Sequence, residues 1–426
     1  MFKQYFKFIV RKLSRNRVYT VINIVGLSIA FSAAWLIYSH TANEWNMDGD
    51  LKNRDNIYRV ITRYGDEDFW NCRTNTPFGP AAKRTFPEIV QVARYFQKDY
   101  RIKIEDSQDF TIEPKLAFVD PPFFDLFEIP VIQGKIDTTV FSWIVFTETS
   151  AKRYFNKENP IGKTVTIKDG INNRKKDIKC QVVAVIKDFP ANSTIQANII
   201  VDYRQGAPYF DEHRGNYSLY TYFHILPTAD LRAIEKKLPT IASNMPDDVN
   251  HYSHRLQPLK DIYFHSEHLR EDELLRGSQS LTYLLRSITI LILLLAAGNF
   301  LLIRIAQQDR DSSRFAIHKC YGASNKHLFY QLLGEIGLQT GVILLLSCIL
   351  TYGLHPYFIQ ILSPEHIYPF ELFNLSNFVF VGFICLIMGI ICSILYFHFK
   401  HHVSREGVRG MLQPKPQQIN LSKILT

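Results

Sequence analysis

Gly162-Lys163-Thr164 ends like a phosphate-binding loop, in which glycine-rich backbone amides cradle a nucleotide phosphate. That loop needs a further glycine at position 157, and the residue there is Lys157. ATP binding is therefore not expected at this string. His251 with His254, and His265 with His268, form two H-x-x-H pairs. Both are read as extended chain, where this spacing turns the rings to opposite faces. No cysteine or carboxylate cluster completes a four-ligand set, so solvated surface histidines are expected rather than a metal centre. Phe397–His402 (FHFKHH) reads as a membrane-exit sequence, with amphipathic and cationic side chains at the interface. No nucleophile elbow, H-E-x-x-H helix or paired catalytic carboxylates stand out. The expectation is a protein with no catalytic, cofactor or metal-ligating residues of its own.

What the sequence does carry is four apolar stretches long enough to cross a bilayer: Tyr19–His40, Leu281–Ile303, Leu332–Leu354 and Phe378–Phe397. The first is too long for the apolar region of a cleaved signal peptide, and its small residues lie inside the stretch. With 426 residues, 46% hydrophobic and six cysteines, the chain is neither intrinsically disordered nor a disulfide scaffold. The net charge of +9 is unevenly placed. Lys3, Lys7, Arg11, Lys12, Arg15 and Arg17 precede the first span with no acid among them. The stretch after the second span and the tail are also basic, whereas the loop His355–Leu372 has no Lys or Arg. The positive-inside rule puts both termini and the 304–331 segment in the cytoplasm, and the large domain outside. The basic charge thus records topology rather than a nucleic-acid footprint.

The expected organisation is an amphipathic interfacial helix at 1–17, a first span at 18–40 and an extracytoplasmic domain at 41–280. A second span at 281–303, a cytoplasmic segment at 304–331, a third span at 332–354, an external loop at 355–377, a fourth span at 378–397 and a cytoplasmic tail at 398–426 complete it. Phe2, Phe6, Ile9, Val10 and Leu13 share one face of the leading helix, as on a membrane surface. Cys72 and Cys180 alone share the external compartment, and a disulfide between them is open.

The external domain reads as α+β. Ile57–Thr62, a helix over Gly79–Phe86 and Ile89–Phe96 make one β-α-β unit. Leu219–Leu226, a helix over Asp230–Ser243 and Tyr252–Leu259 make another. Together they predict a split ferredoxin-like part, 41–97 and 216–280, around an inserted β-rich part, 98–215. Inside the membrane, Gly26, Ala30 and Ala34 recur every fourth residue, as do Gly337 and Gly341, which predicts close helix packing. Arg286 lies near the outer end of its span, where it can snorkel, and Glu335 near the inner end of its span, where it can face cytosolic water or a cationic partner. No charge falls at a bilayer midplane, which argues against an ion-coupled carrier.

One span, a large external domain and three spans is the order of MacB-type, FtsX-like ABC transporter permeases. Strings along nearly the whole chain resemble that family: RNRVYTVINIVGLSIA (15–30), DNIYRV (55–60), TPFGPAAKRTFPEI (76–89) and FFDLFEIPVIQG (123–134). FTETSAKRYFNKENPIGKT (146–164), VVAVIKDFPANS (182–193), LQPLKDIYF (256–264), NFLLIRIA (299–306) and HKCYGAS (318–324) continue the resemblance. It implies that the inserted part is Sabre-like. It also implies a permease subunit in the bacterial inner membrane without a nucleotide-binding domain. Such a subunit works with a cytoplasmic ABC ATP-binding subunit and a second permease subunit, in some cases with an envelope adaptor or outer-membrane partner. ATP-driven motion would be passed to the external domain for export or extraction of a peptide, antibiotic or lipoprotein. The alternative is a non-transporting signalling or scaffold protein whose external domain binds an envelope partner. The resemblance puts ATPase coupling on Arg310, Arg314, His318, Lys319, Gly322 and Ala323. Here the sequence departs from its relatives: Arg314 stands where an acidic residue is expected, and His318 where an arginine is expected.

Overall fold

The computed structural model describes residues 17–362 apart from 66–67, 106, 108, 138–141, 169–176, 207–217, 243–251 and 307–324, with scattered positions between 379 and 394. Residues 1–16 of the expected leading helix, 307–324 of the 304–331 segment, 363–377 of the expected external loop and the tail lie outside the described residues, whereas 355–362, expected in that loop, are helical. The chain divides into two compact units, one holding 1–41, 283–364 and 371–426, the other holding 42–282 and 365–370.

In the first unit, α1 (Arg17–Trp45) contributes residues up to 41, followed by α7 (Gln279–Ala306) and α8 (Asn325–Leu362). Val18–Trp45, Gln279–Ile303 and Leu333–Ile361 are long and apolar enough to cross a membrane. The described residues between Gly382 and Ile391 are also helical. Val21, Ile22, Val25 and Ile29 make an exposed apolar face on α1, whereas Ser28, Phe31, Ser32 and Trp35 are buried. The Ser347 hydroxyl donates to the Ser28 carbonyl at 3.2 Å, and the Thr351 and Ser32 hydroxyls pair at 3.0 Å. The constant offset means that α1 and α8 run parallel, joined by hydroxyls spaced one helical turn apart. Such bonds hold helix register where lipid supplies no hydrophobic drive.

In the second unit, β1 (Ile57–Tyr64) pairs antiparallel with both β10 (Tyr220–Ile225) and β11 (Tyr252–Pro258), and β10 pairs antiparallel with β3 (Ile89–Ile104). The local order is β11-β1-β10-β3. Helices α2 (Phe78–Thr85) and α5 (Leu231–Ala242) cover one face, burying Phe78, Ala82, Ile234 and Leu238 against Val60, Val92 and Phe223. Burial of each large apolar side chain contributes about 1.5–3 kcal/mol. α2 stops at Thr85 because Pro87 forces the preceding residue to be extended. Gly79 lets α2 approach closely: an added Cβ would lie 2.9 Å from Val92 Cγ1.

The sheet continues without a break. Beyond β3 come β4 (Thr111–Val119), β9 (Ile199–Asp202), β6 (Trp143–Thr147), β8 (Ile178–Ile186) and the edge strand β5 (Val131–Gly134), with β7 (Thr164–Ile167) pairing β3 and β8. Further along β1, β2 (Trp70–Asn71) also pairs it antiparallel, and β12 (Leu269–Arg270) pairs β2 in parallel. β4 pairs parallel with β9, and β6 with β8. β6 and β9 are buried on both faces, so they read as apolar runs instead of alternating. Trp143 and Val145 pack on one side with the aromatic helix α3 (Pro122–Leu126), and Ile144 and Phe146 on the other with α4 (Glu148–Phe155). The expected division at 97/98 falls inside β3, whose early residues pair β10 and whose later residues pair β4 and β7.

Candidate functional site

The last turn of α1 carries Glu44, 8% exposed. Its carboxylate accepts one hydrogen bond from the Tyr263 hydroxyl and another from the Thr282 hydroxyl, both at 2.9 Å. Thr282 lies in the first turn of α7, and Tyr263 follows α6 (Leu259–Ile262). One carboxylate therefore ties the end of α1, the start of α7 and the strap that leads from β11 to it. Burial first, and then the Glu44 charge, hold the Tyr263 phenol protonated and fit to donate. Gly277 is required here because an added Cβ would sit 2.1 Å from the Tyr263 ring.

Just past Trp45, the chain leaves the helix through Asn46-Met47-Asp48-Gly49-Asp50. Asp48 is 4% exposed and takes the left-handed conformation at φ +53, rare for a residue with a side chain. Its carboxylate accepts from the Ser193 hydroxyl (3.1 Å), the Thr194 amide (3.1 Å) and the Thr194 hydroxyl (2.7 Å). The exchange is reciprocal. The Asp48 amide donates to the Asn192 carbonyl at 2.5 Å, and Asn192 Nδ2 donates to the Asn46 carbonyl at 3.0 Å and Asp50 Oδ2 at 3.1 Å. Hydrogen bonds to a charged group contribute about 1.5–3 kcal/mol each, against the cost of drying the charge. Burial prevails over the hydrogen bonds from Thr194 and Ser193 and the Arg54 charge, and pushes the Asp48 carboxyl up to about 6.

A third cluster anchors the strap from within. Arg59 on β1 and Asp272 form an ion pair at 2.9 Å with both side chains fully buried. Arg59 also donates to Gln257 Oε1 at 2.8 Å and to the Ser266 hydroxyl at 2.9 Å. Burial works against the charge on Arg59, but the Asp272 carboxylate beside it prevails and holds the guanidinium charged. Cys72 lies beside the pair, and burial first, then Asp272, pushes its thiol up to about 12. A thiol held protonated in this way is a core residue and not a nucleophile.

Several expected sites stand elsewhere. Lys163 pairs with Glu158 at the surface rather than facing a phosphate cradle. His254, expected on the surface, is 5% exposed and stacks on Phe78 at 4.3 Å between ring centroids. Burial lowers its pKa to about 3, so it stays neutral. His265 and His268 are exposed, and His251 lies outside the described residues. Cys72 and Cys180 are free thiols, each packed in a different hydrophobic cluster. Among the described residues no cluster of metal-ligating side chains occurs. Gly26 is exposed, Ala30 half-buried and Ala34 buried, and nothing lies within 4 Å of a Cβ added at Gly26, Gly337 or Gly341. Glu335, expected to face cytosolic water or a cationic partner, is 5% exposed. Arg310, Arg314, His318, Lys319, Gly322 and Ala323 lie outside the described residues.

The junction residues Glu44, Asp48, Thr194 and Thr282 were assigned no role from sequence. The available signal was a cluster of turn formers, N-M-D-G-D, directly after an apolar span, with two family-like strings that had no stated partner.

Residues 20–241 match the family described as the MacB-like periplasmic core domain, and residues 286–400 match the FtsX-like permease C-terminal domain. The chain belongs to the FtsX-like permeases that carry a MacB-like periplasmic core domain. Among solved structures it is similar to a domain assigned to a permease protein from Porphyromonas gingivalis, at 18% identity and TM-score 0.42, covering 56% of this chain and 99% of that one. It is also similar to the periplasmic region of MacB from Actinobacillus actinomycetemcomitans, at 16% identity and TM-score 0.34, covering 49% and 90%. A third is the extracellular domain of the noncanonic ABC-type transporter YknZ from Gram-positive bacteria, at 13% identity and TM-score 0.36, covering 47% and 99%. No curated protein matches the chain.

Proposed function

We propose that this chain is the transmembrane permease subunit of a MacB-type ABC transporter. It takes ATP-driven motion from a separate cytoplasmic ATP-binding subunit and delivers it to the domain at 42–282. Two permease subunits assemble with two ATP-binding subunits. Phe378–Phe397 supplies the fourth span, both termini are cytoplasmic, and the domain acts outside the membrane on an envelope substrate such as a peptide, antibiotic or lipoprotein. The strand order β11-β1-β10-β3 with two covering helices supports a split ferredoxin-like part. Arg310, Arg314, His318, Lys319, Gly322 and Ala323 form the surface on which the ATP-binding subunit pushes, and the Arg314 charge reversal matches a dedicated partner.

The observation that carries this reading is the Glu44 joint, which fastens the last turn of α1 and the first turn of α7 to one strap of the folded domain. A domain merely anchored by its ends does not need a buried carboxylate shared between two membrane helices. The test is affinity purification of the tagged full chain from its native membrane. An ABC ATP-binding subunit in stoichiometric amount, weakened by Arg314→Glu, is the expected result. A chain that leaves the membrane intact and without any such subunit overturns the proposal.

A further inference from the structure

The Asp48 turn does more than end a helix. A carboxylate that merely caps a turn bonds to amides of its own turn. The side-chain bonds of Asp48 instead reach Ser193 and Thr194, in the loop between β8 and β9. That loop answers with Asn192, whose carbonyl and amide group bond back to Asp48, Asn46 and Asp50. The two segments are far apart in sequence, and each supplies both donors and acceptors, so neither adopts this arrangement without the other. The turn also retains a left-handed backbone at a residue other than glycine, a strain that persists only where surroundings enforce it. Beside it, a Cβ added at Gly49 would lie 2.1 Å from Asn46 Oδ1, so the Asn46 side chain would have to move. The loop leads at both ends into β8 and β9, which are buried in the far half of the sheet.

We propose that Asp48 is the positioning residue of a clasp that fastens the exit of α1 to the β8–β9 loop, so that the far half of the sheet follows α1 directly. The Glu44 joint grips the strap and α7. The Asp48 clasp grips the loop between β8 and β9, and the two carboxylates lie one helical turn apart in sequence. The clasp rests on the proposed function only for the meaning of the motion it transmits; its existence is a property of this chain alone.

The test is hydrogen–deuterium exchange on the full chain in lipid nanodiscs, with no ATP-binding subunit present. Peptides covering 46–51 and 187–194 are followed in the wild type, Asp48→Asn and Thr194→Val. In Asp48→Asn both segments should exchange at least tenfold faster, and together, while β6, β8 and β9 remain protected. Thr194→Val, which keeps the carboxylate, should produce the same paired loosening to a smaller degree. Loosening of 46–51 alone reduces Asp48 to a local turn residue and overturns the clasp. Loosening of β6, β8 and β9 as well makes it a general stability residue and also overturns it. If Asp48→Asn does not accumulate folded, Thr194→Val decides, and unchanged exchange at both segments rejects the clasp. A missing ATP-binding partner defeats the proposed function and leaves these readings intact.

Discussion

Thr194 donates its amide to one oxygen of the Asp48 carboxylate, at 3.1 Å, and its hydroxyl to the other, at 2.7 Å. A single residue thus holds both carboxylate oxygens in place. The pairing brings the turn after α1 onto the loop between β8 and β9, inside the inserted part. Because the carboxylate is dry, its protonation responds to whether the turn is docked.

Asp48 titrates at about 6 in the folded chain, above the ordinary value of 3.8. A raised carboxyl pKa means that the folded state holds its proton more tightly. Its contribution to stability is full in acid and is lost as pH rises through about 6. Between pH 7.5 and pH 5 the wild type should gain about 1 kcal/mol relative to Asp48→Asn. Urea unfolding of both chains at the two pH values measures the difference. An equal pH response in both chains assigns the effect elsewhere.

His254 acts in the opposite sense. Its pKa is lowered from 6.5 to about 3, so its contribution is present above pH 6.5 and is lost as pH falls. Acidification from pH 7.5 to pH 5 should cost about 2 kcal/mol through this residue. His254→Phe keeps the stack on Phe78 and should remove that loss, which the same unfolding experiment detects.

Arg59→Met leaves Asp272 buried without its cation. It should destabilise the domain by about 3–5 kcal/mol. Adding Asp272→Leu removes the stranded charge and should restore much of the loss. Denaturant unfolding of residues 42–282, expected to be soluble and cooperative, gives both values. A double variant no better than Arg59→Met contradicts the assignment.

Gly277→Ala should act through Tyr263, since the added carbon lies within the space of the ring. Tyr263→Phe, which removes a donor to Glu44, should cost about 1–3 kcal/mol. The double variant should be little worse than Gly277→Ala alone. Additive losses in thermal unfolding place the two residues in separate networks.

The elements on either side of the insertion were legible because their patterns are local. IYRVIT alternates, Pro87 stops a helix, and Leu231–Ala242 is amphipathic. The strand ends were less legible. β3 runs on to Ile104 because its later residues pair β4 and β7, and no local pattern announces that pairing. His254 was misread because its burial against Phe78 is a tertiary fact. Asp48 and Asn192 are turn-forming residue types, but the bonds joining their segments span a long stretch of sequence and leave no periodic trace. In α1 the glycine spacing drew attention, whereas the described partners of α8 are the serines of the adjacent face.

The most direct measurement of the central proposal is the distance between two copies of the permease during ATP turnover. A spin label carried by an unnatural amino acid at the exposed position 179 near the start of β8 reports it by pulsed electron resonance in a reconstituted complex. The expected result is a shifted distance distribution after trapping with ATP and vanadate, reduced when the Asp48 clasp is opened by Asp48→Asn. A distribution that stays the same in every nucleotide state while the complex hydrolyses ATP contradicts transmission of the motion through this chain.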